Sequence, residues 1–424
     1  MNKKILLYTS AIIVCGAIAT TCFIKYNEDH FSINDSQLEE QARTGDINSY
    51  RTKAEQGDVN AQTILGLCYL RGYGVDRSKT EAAKWFKLAA DQEHPIAQYH
   101  LAIAYFYGDG GLKENKETAF NLFTLAAKEG VVEAQYKLGV SYLNGDGINK
   151  NDNEAAKWFK LAADKGHATS QVNLGMLHLT EAIGPKNTQE ALRLFNLAAD
   201  QDNGYAQLFL GSIYLDGDGD DIPQNYEKAA HFFLLAAKHN IASAQYELAC
   251  LYKRGHGVPQ DEHEYIKWIK LATEGDNAKA QNDLAVDYLR GAGVTKNVQE
   301  AIRLFELSAK QGNKYAQYNL GTEYYYGSNL HQDYTKAFKF FLLSADQGHR
   351  VAQYYLGESY NNGSGVARNF YQAAKWFKLS AEQGYSSALH VLATYYLHGR
   401  GGLPQDDREA ARLFKLSEEA KQKE

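Results

Sequence analysis

The sequence predicts an all-α solenoid of about ten two-helix repeats, stacked one on the next, with short capping helices at its ends. Three observations carry this reading. First, the dipeptide Ala-Gln recurs at Ala61-Gln62, Ala97-Gln98, Ala134-Gln135, Ala206-Gln207, Ala244-Gln245, Ala280-Gln281, Ala316-Gln317 and Ala352-Gln353, with Ser170-Gln171 and Ala388-Leu389 in the two remaining slots. Second, the steps between these ten anchors are 36, 37, 36, 36, 38, 36, 36, 36 and 36 residues, a fixed period that marks units unable to bury their apolar faces alone. Third, 36 glycines against five prolines suit many short helices separated by glycine turns.

Upstream of the array the chain differs in kind. Lys3 and Lys4 precede an apolar run from Ile5 to Ile24 that ends at Lys25. Residues 1–24 therefore read in two ways. As a secretory signal, the apolar region runs from Ile5 to about Cys15, and Ala17-Ile18-Ala19 supplies an A-x-A cleavage site that leaves Thr20 as the first mature residue. As an uncleaved anchor, the run is just long enough to cross a bilayer. Its threonines and Ser10 lower its hydrophobicity, which favours cleavage. Both readings export the repeats, and both confine any membrane link to this segment. Residues 25–60 read as a linker with N-terminal capping helices, one from Leu38 to Thr44 and a lone second helix from Tyr50 to Gly57.

Within the array, residues 61–416, take the alanine of each Ala-Gln as position zero. Position four is leucine in every repeat, from Leu65 and Leu101 to Leu356 and Leu392. Position five is small, for example Gly66, Ala102, Gly139, Gly321 and Gly357. Position eight is tyrosine in nine of the ten, with His178 in the other. Positions zero, four and eight share one face of a helix, and the small residue beside them lets a second helix approach closely. Glycine pairs such as Gly72 and Gly74, Gly145 and Gly147, and Gly363 and Gly365 then stop this first helix. An apolar residue follows, such as Val75, Ile148, Val258, Val294 or Val366, placed to pack under the turn.

The second helix opens on capping-box pairs: Ser78 with Glu81, Asn151 with Glu154, Asn187 with Glu190, Asn297 with Glu300, and Asp406 with Glu409. Its body carries aromatic pairs followed by small ones, clearest in Trp85-Phe86 with Ala89-Ala90, Trp158-Phe159 with Ala162-Ala163, and Trp376-Phe377 with Ser380-Ala381. Gly130, Gly166, Gly275, Gly312, Gly348 and Gly384 are read as its terminators. Repeat four replaces the glycine pair with Thr180 to Pro185, and repeat eight with Gly327-Ser328-Asn329. Residues 417–424 form a polar cap, because Glu418 stands where repeat nine has Ala381.

The pattern A-x-x-x-L-G-x-x-Y-x-x-G-x-G-V…A-x-x-W-F-x-x-A-A-x-x-G resembles the Sel-1-like repeat family, over ten repeats from about Ala61 to Leu416. The resemblance implies helix–turn–helix modules akin to tetratricopeptide repeats, wound into a right-handed α/α superhelix. It also implies adaptor roles, at the bacterial cell surface, in envelope complexes or in host contact. Eukaryotic relatives serve as adaptors in membrane-associated protein degradation.

Composition narrows the function further. The net charge of -6 is interspersed, without a basic stripe, so nucleic acid is excluded as a partner class. Two of the four cysteines lie in the leader, and Cys68 and Cys250 sit five repeats apart, so no disulfide framework exists. There is no G-x-S-x-G, S-x-x-K, H-E-x-x-H or C-x-x-C, so no catalytic residue and no cofactor are assigned. Some cysteine-rich relatives have been linked to penicillin binding; without their paired cysteines, a hydrolase of that type remains only the contrasting hypothesis. His94, His167 and His349 fall in helix-end turns. Asp216, Asp218, Asp220 and Glu227 have the spacing of a calcium loop, but Asp221 replaces its turn glycine and Pro223 follows. An acidic variant of the ordinary turn, as at Asp109 and Asp146, is the favoured reading, and no metal site is assigned.

The tyrosines are the better signal. Thirty exceed what position eight uses. Position two is Tyr99, Tyr136, Tyr246, Tyr318 and Tyr354 in half of the repeats, and Tyr315, Tyr325 and Tyr326 join the last two. In the related tetratricopeptide architecture this position faces the concave groove where peptides lie. Tyrosine offers apolar area with a polar tip at low entropic cost. The competing reading is packing between adjacent helices. The expectation is a monomeric, non-enzymatic, exported scaffold that binds a protein or peptide partner through this face.

Overall fold

The computed structural model describes residues 33–219 and 222–423. The leader, with both readings of it, lies outside the described residues, as does Asp220. The described residues form 22 α-helices, none long and apolar enough to cross a membrane. They fall into two compact units, one running to Leu210 and including Asp218, the other comprising Gly211–Gly217 and the chain from Ile222 onward. Within each unit a first helix packs on its own second helix and on the second helix of the repeat before it. The expected all-α solenoid is the observed architecture.

Sterics dictate the small residue at position five. A methyl group at Gly66, Gly139, Gly175, Gly211, Gly321 or Gly357 would come within 2.6–2.7 Å of the phenylalanine ring of the same repeat's second helix. Those rings, Phe86, Phe159, Phe195, Phe233, Phe341 and Phe377, are fully buried, as are the alanines and leucines of positions zero and four. Position eight behaves differently from expectation. Its ring is only half-buried, and its carbonyl does the repeated work: it accepts the N–H of the second helix's N-cap residue, as in Ser78 to Tyr69 (2.8 Å), Asn151 to Tyr142 (2.8 Å) and Asn369 to Tyr360 (2.8 Å). This use of the amide corrects the capping-box reading. The forward bonds form, Glu81 N–H to Ser78 at 3.2 Å and Glu300 N–H to Asn297 at 3.1 Å. The glutamates turn away from the occupied N-cap amide and pair instead with Lys84 and Arg303 one turn on.

The buried glutamine at position one joins three helices. Its amide donates to the carbonyl that closes the previous second helix, as Gln135 to Ala127 (3.1 Å), Gln317 to Ala309 (3.2 Å) and Gln353 to Ala345 (3.2 Å). Its oxygen accepts from a glutamine at the end of its own second helix: Gln92 to Gln62 (2.8 Å), Gln201 to Gln171 (3.0 Å), Gln311 to Gln281 (2.8 Å), Gln347 to Gln317 (2.8 Å) and Gln383 to Gln353 (2.8 Å). Glu129, Lys165 and His239 occupy that closing slot in repeats two, three and five, and there the oxygens of Gln98, Gln135 and Gln207 are buried without a partner.

The second glycine of each turn has a reason that sequence reading missed. A side chain at Gly147 or Gly365 would strike the backbone of Lys116 or Tyr334, at the start of the preceding second helix. The apolar residue that follows is half-buried at Val75, Val258, Val294 and Val366, but Ile148 is exposed. Repeat six corrects one terminator: Gly275 has φ -80°, and Asp276 (φ 58°) takes the left-handed place, which aspartate tolerates better than most residues. Upstream, helices Ile33–Thr44 and Ile47–Glu55 precede the array, and Ala42, Ile64, Leu67 and Cys68 share one buried cluster. Cys68 and Cys250 are both free.

The missing donors yield a prediction. Glu129→Gln should supply the absent bond to Gln98 and stabilise the protein by about 1 kcal/mol. Urea unfolding of the variant beside the parent measures it, and equal stability would make the glutamine pairs incidental.

Candidate functional site

The tyrosine-rich face is built on two first helices, α17 and α19 in chain order, Lys314–Tyr326 and Arg350–Asn362. Repeat geometry sends positions zero and four inward, which leaves positions two and nine on the opposite side, with positions three and ten beside them. Tyr318, Tyr325 and Tyr326 come from the first helix, and Tyr354 and Tyr355 from the second.

These rings form one connected set. Tyr355 stacks on the buried Phe341 (5.1 Å between centroids) and meets Tyr325 at 5.7 Å and Tyr354 at 5.5 Å. The hydroxyls of Tyr326 and Tyr355 are 2.8 Å apart. Tyr354 also meets Tyr385 of the next repeat at 5.4 Å. At the other edge His349 lies 4.8 Å from Tyr318 and 5.3 Å from Tyr315. Burial pushes the Tyr318 hydroxyl up to about 12, and those of Tyr354 and Tyr355 upward as well, so all stay neutral donors. Glu358, one turn after Tyr354, is half-buried, and desolvation raises its carboxyl above the usual range.

The eight tyrosines singled out from sequence divide four ways. Tyr315 and Tyr326 are exposed, at 52% and 55%. Tyr318, Tyr325 and Tyr354 are half-buried members of the connected set. Tyr99 and Tyr136 are a correction: at 9% and 7% exposure they pack against Phe123 and Phe159, and no partner can reach much of either ring. Tyr246 stands apart, its hydroxyl donating to Asp283 (3.1 Å). It belongs to a polar stretch of repeats six and seven, where Tyr265 donates to the buried Asp287 and Lys253 donates to Tyr265 (2.9 Å).

Sequence reading missed Tyr355, Tyr385, His349 and Glu358. The signal was the Tyr354-Tyr355 doublet, whose second ring occupies position three, beside position two of the preceding first helix. The histidines prove to be helix caps. The Nδ1 of His349 accepts from the Ala352 N–H (3.1 Å), as His167 does from Ser170 (3.1 Å).

The acidic turn follows the ordinary pattern. Lys186 Nζ reaches Asp218 at 2.8 Å and Thr188 donates to the same carboxylate, as Lys79 reaches Asp109 (2.7 Å) and Lys116 reaches Asp146 (2.8 Å). Among the described residues, no group of three or more potential ligands converges on a metal position.

Comparison with known proteins fits this geometry. The Sel1 repeat model matches ten times in succession, over residues 59–94, 95–131, 132–167, 168–203, 204–241, 242–277, 278–313, 314–349, 350–385 and 386–421. The chain belongs to the Sel1 repeat family. Such repeats are generally non-enzymatic modules that bind protein partners. Among solved structures, the chain is similar to c5321, a protective antigen of uropathogenic Escherichia coli strains, with 27% identity, 89% of this chain and 90% of that one covered, and a TM-score of 0.60. It is also similar to a Sel1 repeat protein from Oxalobacter formigenes, with 26% identity, 87% and 97% covered, and a TM-score of 0.52. A shorter match is to HRD3B of Arabidopsis thaliana, an ERAD-associated E3 ubiquitin-protein ligase component, 43% identical over 51 residues. That match spans 12% of this Sel1 repeat chain and 8% of the relative.

The His349 cap makes a pH prediction. Burial, Lys314 and Arg350 lower its pKa from 6.5 to about 4, so the neutral ring's stabilisation is full above pH 6.5 and lost as pH falls through 4. Asparagine caps repeats seven and eight at the same place, at Asn277 and Asn313. His349→Asn should therefore flatten part of the fall in Tm between pH 6.5 and 4. Parallel melting curves across that range check it, and superimposable pH profiles would remove His349 from the acid response.

Proposed function

We propose that the protein is an exported, non-enzymatic scaffold that works as a monomer at the bacterial cell surface or in the envelope, in contact with host or envelope proteins. It holds a protein or peptide partner on the first-helix face of its repeats. The observation that carries this reading is the connected tyrosine set on Lys314–Tyr326 and Arg350–Asn362, whose rings are fixed from behind by Phe341 and Phe377 while Tyr315 and Tyr326 remain exposed. Pre-fixed aromatic rings lose little entropy on binding and present both apolar area and hydroxyl donors. The likeness to c5321 supports the extracytoplasmic setting, since a protective antigen is one that immune recognition reaches.

A photo-crosslinking residue at Tyr326 should capture the partner in envelope or host-cell fractions, whereas the same residue at Tyr371, equally open but on a second helix, should not. Tyr326→Ala should then weaken binding by about 2 kcal/mol, as loss of a central aromatic anchor does. Capture from Tyr371 alone would move the interface to the second helices.

The exported setting carries its own prediction. Mass spectrometry of the protein made in its native host should find Thr20 as the first residue. An intact segment from Met1 to Ala19 in the membrane fraction would make that segment an anchor.

A further inference from the structure

Glu358 is a half-buried carboxylate on the helix that carries Tyr354 and Tyr355. It lies one turn beyond Tyr354, and its charge acts on the hydroxyls of Tyr325, Tyr354 and Tyr395, from repeats eight, nine and ten. Its only hydrogen bond is from the Asn362 amide (3.3 Å). Among the described residues, no lysine, arginine or histidine comes within ion-pair distance of it. By contrast, the glutamates that open several second helices pair with a basic residue one turn on, as Glu300 does with Arg303 and Glu409 with Arg412. Glu323, on the first helix of the repeat before, likewise accepts from an asparagine amide, that of Asn329 (3.0 Å).

The surrounding rings already hold cations at their outer edges. Lys314 Nζ sits 5.5 Å from the centre of Tyr315, and the Arg350 guanidinium 5.7 Å from Tyr385. Arg400 lies over Phe370 (5.0 Å) and Tyr395 (5.8 Å). These cations lie against ring faces, and none of them forms an ion pair with Glu358. A half-buried carboxylate one turn beyond a tyrosine of a ring cluster is suited to a weakly hydrated planar cation, which gains from the charge and from the ring quadrupoles together.

Building on the scaffold reading, we infer that the Tyr318–Tyr325–Tyr326–Tyr354–Tyr355 platform, with Glu358 at its end, is a recognition site for an arginine side chain of the partner polypeptide. The guanidinium packs against the tyrosine faces and bonds the Glu358 carboxylate, while flanking apolar residues cover the exposed ring of Tyr326. A half-desolvated carboxylate without a counter-ion disfavours an empty platform and rewards a cation that fills it.

A random dodecapeptide library selected on the purified protein supplies the probe, and the best arginine-containing peptide is then remade with citrulline, which keeps the shape and removes the charge. Arginine should be enriched in the selected peptides, and the citrulline version should bind at least tenfold more weakly by calorimetry. Glu358→Gln, almost isosteric, should erase most of that tenfold difference, and Tyr326→Ala, on an exposed ring, should weaken both peptides alike. Unfolding curves confirm that each variant is folded. Peptides that compete with one another and lose affinity in Tyr326→Ala, yet show no arginine preference, would overturn the inference and leave the scaffold reading standing. A preference that survives Glu358→Gln overturns it as well. Failure to select any peptide sensitive to Tyr326→Ala overturns both.

Discussion

The buried position-one glutamine is the constraint on which the register of the array depends. An amide in the interior must find both a donor and an acceptor partner or lose about 1–3 kcal/mol for each group left unpaired. In repeats one, four, eight and nine it finds one in the helix behind and one in its own second helix, so a single side chain spans a whole repeat. Gln317 does this between Ala309 and Gln347. Where the closing slot holds Glu129, Lys165 or His239 instead, the glutamine oxygen is buried without a partner, in repeats of 37, 36 and 38 residues alike.

Much of the fold was legible because its rules are local or recur. The Ala-Gln step, the leucines and the N-cap residues each report a helix by composition and spacing alone. What stayed hidden involves competition between groups. The glutamates of the capping boxes could not be seen to lose the N-cap amide, since the competing carbonyl belongs to a tyrosine nine residues back. Gly275 looked like the terminator until Asp276 was found in the left-handed place beside it. Tyr99 and Tyr136 share position two with Tyr318 and Tyr354, yet the first two are buried and the last two only half-buried. Position alone does not set exposure.

The candidate site shows the same division. The sequence points to the right two repeats through their excess of tyrosine, and to five residues that do come together. It does not reveal the organising ring, Tyr355, which stacks on Phe341 and touches tyrosines of both helices. Contacts across neighbouring first helices join residues about one period apart, and pattern reading within a single repeat passes over them. The acidic turn is a milder case, its spacing being compatible with a cation until Lys186 is seen to supply the positive charge.

One small exchange in the second helices carries a consequence for motion. In repeats seven to ten the first of the two small residues is serine, and Ser308, Ser344, Ser380 and Ser417 each donate to the opening turn of their own first helix, at Ala278 (2.5 Å), Lys314 (2.7 Å), Arg350 (2.7 Å) and Ser386 (2.9 Å). Repeats one to three have alanine there, at Ala89, Ala126 and Ala162, with no such bond to give. A helix start tied down in this way resists fraying, and in a stacked array resistance adds from neighbour to neighbour. The platform repeats therefore lie in a stretch whose first helices are held at their starts, a support on which a peptide can be laid without the helix ends fraying beneath it.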